Sequence, residues 1–302
     1  MTESQNTSTT NVQITEDTAT DISTLSAAQV YDLNQRVLDS ISDVQRPLIA
    51  TRSDIADLRA EYERGSPSFV QQIDWLKGQG YATIRRTRGD GDCFYRSVAF
   101  AFVETLLHSK DREAIVKLAL ETLGRSLQML ESVGFEKLVF EDFYEVLEGL
   151  MVSITMPDHT GKVLDDESLL AAFQDSTISN SIVMYLRMVT SAQLRLDPES
   201  YEPFLFHPET GEPMQVREFC EHFVEATGKE ADHVQMTALS KALQINIDIA
   251  YLDGRGANGQ VEFVKFENGT PEVQFSLLVG PSAHSYPPLI RPGHYDILKQ
   301  NK

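Results

Sequence analysis

The stretch Thr87-Arg88-Gly89-Asp90-Gly91-Asp92-Cys93-Phe94-Tyr95-Arg96-Ser97 constrains this chain more than any other. Tyr81 to Arg86 reads as a short strand, the Gly/Asp run as a tight turn, and Phe94 to Leu107 as a helix apolar enough to lie inside a core. The fold must therefore close around a strand, a turn and a buried helix. Cys93 stands at or near the helix N-terminus, where unpaired backbone N–H groups and the positive end of the helix dipole favour a thiolate over a thiol. The two glycines open dihedrals closed to other residues, so the turn can aim amides at an anion. Two readings stay open on these residues alone: a nucleophile beside an oxyanion hole, or a structural cysteine capping a core helix.

Before this stretch, residues 1–24 are rich in Ser, Thr, Asn and Gln and poor in large apolar side chains. Such a segment cannot offset its ordering entropy, and a disordered tail is expected. Val30, Leu33, Val37 and Ile41 then recur at helical spacing over 25–44. A second helix is expected from Ser53 to Arg64, and a third opens at Gly65-Ser66-Pro67 and ends near Gly78-Gln79-Gly80. Residues 25–79 thus read as a helical arm packed on a catalytic body spanning 80–300. After Leu107, helical patterns run over Asp111 to Val133, Leu138 to Met151, Asp165 to Phe173, Asn180 to Leu194, Val216 to Ala226 and Gln235 to Leu243. Met184, Met188, Phe140 and Phe143 read as core, and Cys220, between Phe219 and Phe223, as a buried structural thiol.

Late in the chain the texture changes. Ile245 to Tyr251 alternates as a half-buried strand does, Asp253-Gly254-Arg255-Gly256 suits a hairpin turn, and Val261 to Phe266, Val273 to Val279 and His294 to Leu298 supply further strands. Helices in front and a small sheet assembled late favour one α+β domain. On the last strand, side chains two apart share a face, so His294 and Asp296 lie together while Tyr295 and Ile297 face away. That pair sets a carboxylate next to an imidazole. With Cys93 it supplies the parts that cysteine hydrolysis needs: a thiolate, a base that shares its proton, and a group that fixes the imidazole.

Composition narrows the partners. Forty-five Asp plus Glu against 26 Lys plus Arg give a net charge of −19, with no basic stripe to neutralise phosphates. Nucleic acid and anionic membrane are therefore not expected as partners. Two distant cysteines and the absence of a basic-then-apolar leader point to a reducing compartment, the cytoplasm first and the nucleus second. Without CxxC or HExxH no zinc site is expected, and Gly89-Asp90-Gly91 lacks the lysine and hydroxyl residue of a phosphate loop.

Several blocks together closely resemble the otubain branch of the ovarian-tumour-domain (OTU) cysteine proteases, which are deubiquitinases. They are Ile84-Arg85-Arg86-Thr87-Arg88 leading into Gly89-Asp90-Gly91-Asp92-Cys93-Phe94-Tyr95-Arg96; Asp232-His233-Val234-Gln235 before Ala238 to Leu243; Ile249 to Asp253; and Arg291-Pro292-Gly293-His294-Tyr295-Asp296-Ile297-Leu298. The resemblance implies a papain-like α+β fold, a small mixed sheet between helical regions, and an N-terminal helical arm. It implies Cys93 as nucleophile, His294 as general base, Asp296 as the acid that orients it, and Asp90, Gly91, Asp92 and Cys93 as the loop around the oxyanion hole. Asp92 stands where the family usually has asparagine. Pointing inward, its carboxylate would oppose a thiolate; pointing outward, it would be harmless. The partners implied are monoubiquitin and polyubiquitin, with the compact, proteasome-directing chains preferred, and ubiquitin-charged conjugating enzymes; no metal or organic cofactor is implied. A non-catalytic protein that binds ubiquitin and a conjugating enzyme is the rival reading, and hydrolysis of a small amide or ester a third.

Overall fold

A computed structural model of the chain describes residues 46–63, 66–255, 257–280 and 294–300. The expected tail over 1–24, the helix over 25–44, and Arg291 to Gly293 lie outside the described residues. The described residues belong to one compact unit, 42–302. Its strands are β1 (Ile49–Asp54), β2 (Tyr81–Thr87), β3 (Asn246–Tyr251), β4 (Glu262–Glu267), β5 (Gln274–Gly280) and β6 (His294–Gln300). Its main helices are α1 (Ile55–Tyr62), α2 (Pro67–Gly78), α3 (Cys93–Leu107), α4 (Arg112–Ser132), α5 (Lys137–Val152), α6 (Asp166–Gln174), α7 (Ser176–Leu196) and α8 (His233–Leu243).

The strands form one mixed sheet in the order β1-β2-β6-β5-β3-β4, in which only β3 and β5 run parallel. β2 stands where the strand over Tyr81 to Arg86 is expected, and β1 adds an unexpected strand from before Cys93 to a sheet otherwise drawn from the end of the chain. No element is expected over Ile49 to Arg52, and the helix expected from Ser53 begins at Ile55 after the strand. The burial pattern of β1 shows why no periodicity announced it: only Ile49 is buried, and the pairing of Arg52, Ser53 and Asp54 with Arg85, Ile84 and Thr83 is tertiary. Asp54 ends the strand and caps α1 by accepting a hydrogen bond from Ala56 N at 2.7 Å.

Helices cover both faces of the sheet. On one side α3 packs against Ile247, Ile249, Leu277, Val279, Tyr295 and Ile297, and α4 to α8 enclose it. All its residues except Thr105 are buried, so α3 is the spine of the core. Truncating one of its phenylalanines to alanine would cost about 3–5 kcal/mol. On the other side Ile55 and Leu58 of α1 and Ile73 and Leu76 of α2 pack on Ile84, Ala250, Leu278 and Leu298. Cover on both faces explains a second correction: β3 is buried almost throughout and is not a half-buried strand. Its connection to β4 runs from Leu252 to Val261, longer than the four-residue turn expected, and Gln72 of α2 holds it at Asp253 Oδ1 and Gly254 N. The helix expected over Val216 to Ala226 divides into an α-helical turn, Val216–Phe219, and a π-helical turn, Cys220–Val224.

Candidate active site

β2 and β6 are antiparallel neighbours, with Arg85 opposite Ile297 and Ile84 opposite Leu298. The end of β2, which feeds the Gly/Asp turn, therefore lies beside the start of β6, which carries His294. Residues two hundred apart in sequence meet because these strands share hydrogen bonds. Alternation then sorts the side chains. Thr87 faces α3, where its hydroxyl meets Ser97 Oγ at 2.8 Å, and Ser97 Oγ donates to Tyr295 O at 3.0 Å. Tyr295 packs edge-on against Phe94 with ring centroids 5.3 Å apart. These contacts tie the first turn of α3 to β6.

Arg86, His294 and Asp296 mark the opposite sense of the alternation. His294 Nε2 lies 2.9 Å from Asp296 Oδ1, and Cys93 is close enough to act on the same imidazole, with Nδ1 the ring nitrogen left over from the Asp296 contact. Asp296 is buried and accepts from Thr87 N at 2.9 Å and from Arg86 Nη1 at 2.9 Å. Arg86 in turn reaches Glu61 Oε2 of α1 at 2.6 Å. Burial opposes the imidazolium, yet the adjacent Asp296 carboxylate and then Cys93 hold His294 well above its usual value. Burial likewise opposes the Asp296 carboxylate, but His294, Arg86 and the Thr87 amide bring it down to about 2. A charged imidazolium beside a carboxylate and close to the Cys93 sulfur is a ready proton donor. The structure thus brings together Cys93, His294 and Asp296.

The turn itself differs in detail from its sequence reading. Only Gly91 needs glycine's freedom, at φ +78°; Gly89 does not adopt a positive φ. Asp90 Oδ1 accepts from Asp92 N at 3.0 Å, which occupies one of the amides expected to face an anion. Cys93 N–H, first in α3, has no intrahelical acceptor. Asp90 also accepts from Arg96 Nη1 at 2.8 Å, and Arg96 reaches on to Ser179 and Asn180 of α7. Asp92 takes a course between the two considered from sequence: it is only slightly exposed and is paired with Arg187 of α7 through Nε at 2.9 Å.

Arg96 and Arg187 are both fully buried, and neither was singled out from the sequence. A signal existed for Arg187. It interrupts the apolar run Ile182-Val183-Met184-Tyr185-Leu186-Arg187-Met188-Val189, and a charge in such a place requires a buried partner. Cys220 is buried, its Sγ lies 3.8 Å from Ser191 O, and burial pushes its thiol up to about 11, so it is inert. Glu104, His108 and Asp166 approach metal-ligand spacing. Glu104, however, already contacts Arg52, Arg85 and Lys299, cations that take up the charge a metal would need.

Residues 42–300 match the family model for Peptidase C65 Otubain. The chain belongs to the otubain family. With that membership it is a cysteine protease of the deubiquitinating class. Among similar proteins, the OVARIAN TUMOR DOMAIN-containing deubiquitinating enzyme 1 of Arabidopsis thaliana is 35% identical over 83% of this chain and 80% of its own length. The human ubiquitin thioesterase OTUB1 is 34% identical over 84% of each chain. Among solved structures, an h/ceOTUB1 complex with ubiquitin aldehyde and UBCH5B~Ub superposes with a TM-score of 0.72 at 28% identity, covering 91% of this chain and 98% of that one. A second, with UBC13~Ub in place of UBCH5B~Ub, gives 0.71 at 28% identity over 92% of this chain and 100% of the other.

Proposed function

We propose that this otubain hydrolyses isopeptide bonds between ubiquitin and lysine through Cys93, His294 and Asp296, with the compact, proteasome-directing chains as preferred substrates. The observation that carries the reading is His294, which stands against the buried Asp296 carboxylate and interacts with Cys93. The Cys93 sulfur, as the thiolate whose proton His294 already carries, attacks the carbonyl carbon of ubiquitin's last glycine. The resulting oxyanion is received by the Cys93 N–H at the start of α3, with Asp90 and Gly91 fixing the shape of the turn. As the tetrahedral species collapses, the C–N bond breaks and His294 protonates the departing lysine amine. Neutral His294 then takes a proton from water as it attacks the thioester, and the free ubiquitin carboxylate leaves. Asp296 keeps Nε2–H occupied throughout, so Nδ1 stays turned to the sulfur.

The N-terminal arm, 25–79, is assigned to the second ubiquitin of a chain, and ubiquitin-charged conjugating enzymes are proposed as further partners. The relatives solved with ubiquitin aldehyde and UBCH5B~Ub or UBC13~Ub support that part of the reading. The cytoplasm, followed by the nucleus, is the compartment proposed for a protein with two free thiols.

The test is a panel of differently linked di-ubiquitins, cleaved by the wild type, by Cys93→Ala and by a chain lacking the first 44 residues. Wild-type cleavage, absent in Cys93→Ala, supports the enzyme; binding without cleavage by the wild type would make the protein a binder only. A Cys93-dependent adduct with a ubiquitin C-terminal electrophile separates a ubiquitin site from a generic reactive thiol. Equal rates across linkages would overturn the chain preference, and an unchanged preference in the shortened chain would remove residues 1–44 from its cause.

A further inference from the structure

The Asp92–Arg187 pair takes no part in the reaction just described, yet it is built as carefully as the triad. Arg187 donates Nε to Asp92 Oδ1 at 2.9 Å, Nη1 to Val224 O at 2.9 Å, and Nη2 to Gly91 O at 3.1 Å and Lys229 O at 2.7 Å, as well as to Asp92 Oδ1. Its guanidinium carbon lies 4.4 Å from the centroid of the Tyr95 ring in α3. Gly228 N donates to the same Asp92 oxygen at 3.1 Å. Gly228 also packs so closely on Gly91 that a side chain on Gly91 would collide with its carbonyl. One buried cation therefore gathers oxygens from two chain segments, Gly91-Asp92 and Val224 to Lys229, that sequence separates widely.

A guanidinium suits this place because its planar fork serves several acceptors at fixed angles, which an ammonium cannot do. Full burial makes every one of those contacts matter, since a buried charge or carbonyl left unpartnered is strongly disfavoured. Asp92 is equally dependent, because without Arg187 its carboxylate would remain next to Cys93 with Gly228 N as its one remaining donor among the described residues.

We propose that Arg187 is a positioning residue for the reaction: it clamps the segment 224–229 onto the oxyanion turn and neutralises Asp92, so the carboxylate adds no net charge beside the nucleophile. The inference rests on the function proposed above. Its content beyond that function is that turnover depends on the pair, and that the two residues act as one unit.

A double-mutant square of Asp92→Asn and Arg187→Gln tests it, read by hydrolysis of a fluorogenic ubiquitin C-terminal amide and normalised to sites titrated by a ubiquitin electrophile. Arg187→Gln should lower kcat at least about tenfold with KM within about twofold, because the turn and not the ubiquitin surface is disturbed. Asp92→Asn should lose less, about threefold, since an amide oxygen can still accept from Arg187 and Gly228. The double variant should exceed Arg187→Gln in kcat, because the unpartnered carboxylate is gone; two independent residues would multiply their losses instead. An unchanged kcat per titrated site in Arg187→Gln, a loss confined to KM, or a double variant no better than Arg187→Gln overturns the inference. If Arg187→Gln does not fold, Arg187→Lys, which keeps the cation but not the fork, is read by itself: kcat should fall with KM within about twofold, and an unchanged kcat overturns the inference. An inactive wild type would sink the proposed function and the inference with it; an active wild type without coupling sinks the inference alone.

Discussion

Gly91→Ala tests the packed turn most directly. Gly91 has φ +78°, and a Cβ placed on it would lie 2.2 Å from Gly228 O and 2.4 Å from Gly228 C. Gly134 provides the control, with φ +94° and nothing within 4 Å of its Cβ position. Forcing an L-residue into left-handed backbone costs about 1–2 kcal/mol, and Gly134→Ala should lose that much. At Gly91 the two segments must also part by about 0.8 Å before the Cβ–O distance reaches 3.0 Å. Overpacking of that kind adds about 1–3 kcal/mol, for a total of about 2–5 kcal/mol. The displacement falls on the backbone that carries Asp92 and Cys93, and a misplacement of about 1 Å at a reacting centre can lower the rate about a hundredfold. Urea unfolding of both variants gives the stability difference, and hydrolysis of a ubiquitin C-terminal amide per titrated site gives the rate. If Gly91→Ala were no less stable than Gly134→Ala, or turned over like the wild type, the contact with Gly228 would not be holding the turn.

Other perturbations probe His294, Asp296 and the residue that supports them. Arg86→Met removes one of three donors to Asp296 and leaves His294 and Thr87 N in place, so kcat should fall about tenfold to a hundredfold, as for a charged hydrogen bond worth about 1.5–3 kcal/mol; an unchanged kcat would show that Arg86 does not support the acid. Asp296, held at about 2 against 3.8, contributes about 2 kcal/mol of stability that is fully present above pH 4 and fades as the pH falls toward 2. Acid titration of unfolding should therefore show a slope in that window that Asp296→Asn flattens, and equal slopes would refute the assignment. His294 keeps its proton well above pH 6.5, so the alkaline limb of kcat/KM should fall above that value, and in Asp296→Asn it should move down; a limb near 6.5 in the wild type would contradict the pairing.

Much of the fold was open to sequence reading where local chemistry decides structure. The all-round apolar run after Cys93 could only be a core helix, and α2 begins at Pro67, as proline at a first helical position suggests. Asp232 and Gln235 form a capping box at the start of α8, two residues before the helix start expected. The alternation that pairs His294 with Asp296 is a property of any strand. β1 escaped because an edge strand with one buried residue carries no period, and its hydrogen bonds come from β2. The π-helical turn at Cys220–Val224 escaped for a similar reason: its surroundings, not its residues, select it.

From the amino-acid order alone followed the place of Cys93 at a helix start, the pairing of His294 with Asp296, and the family. Those depend on neighbours a few positions apart, whose geometry the backbone imposes wherever the segment lies. Tertiary structure decided the rest: that β6 inserts beside β2 and delivers His294 to Cys93, that Arg86 supports Asp296, and that Arg187 absorbs the Asp92 charge. Each of these joins elements far apart in sequence, and only the burial of charge in a shared core, where an unpaired group cannot persist, determines which residues must meet.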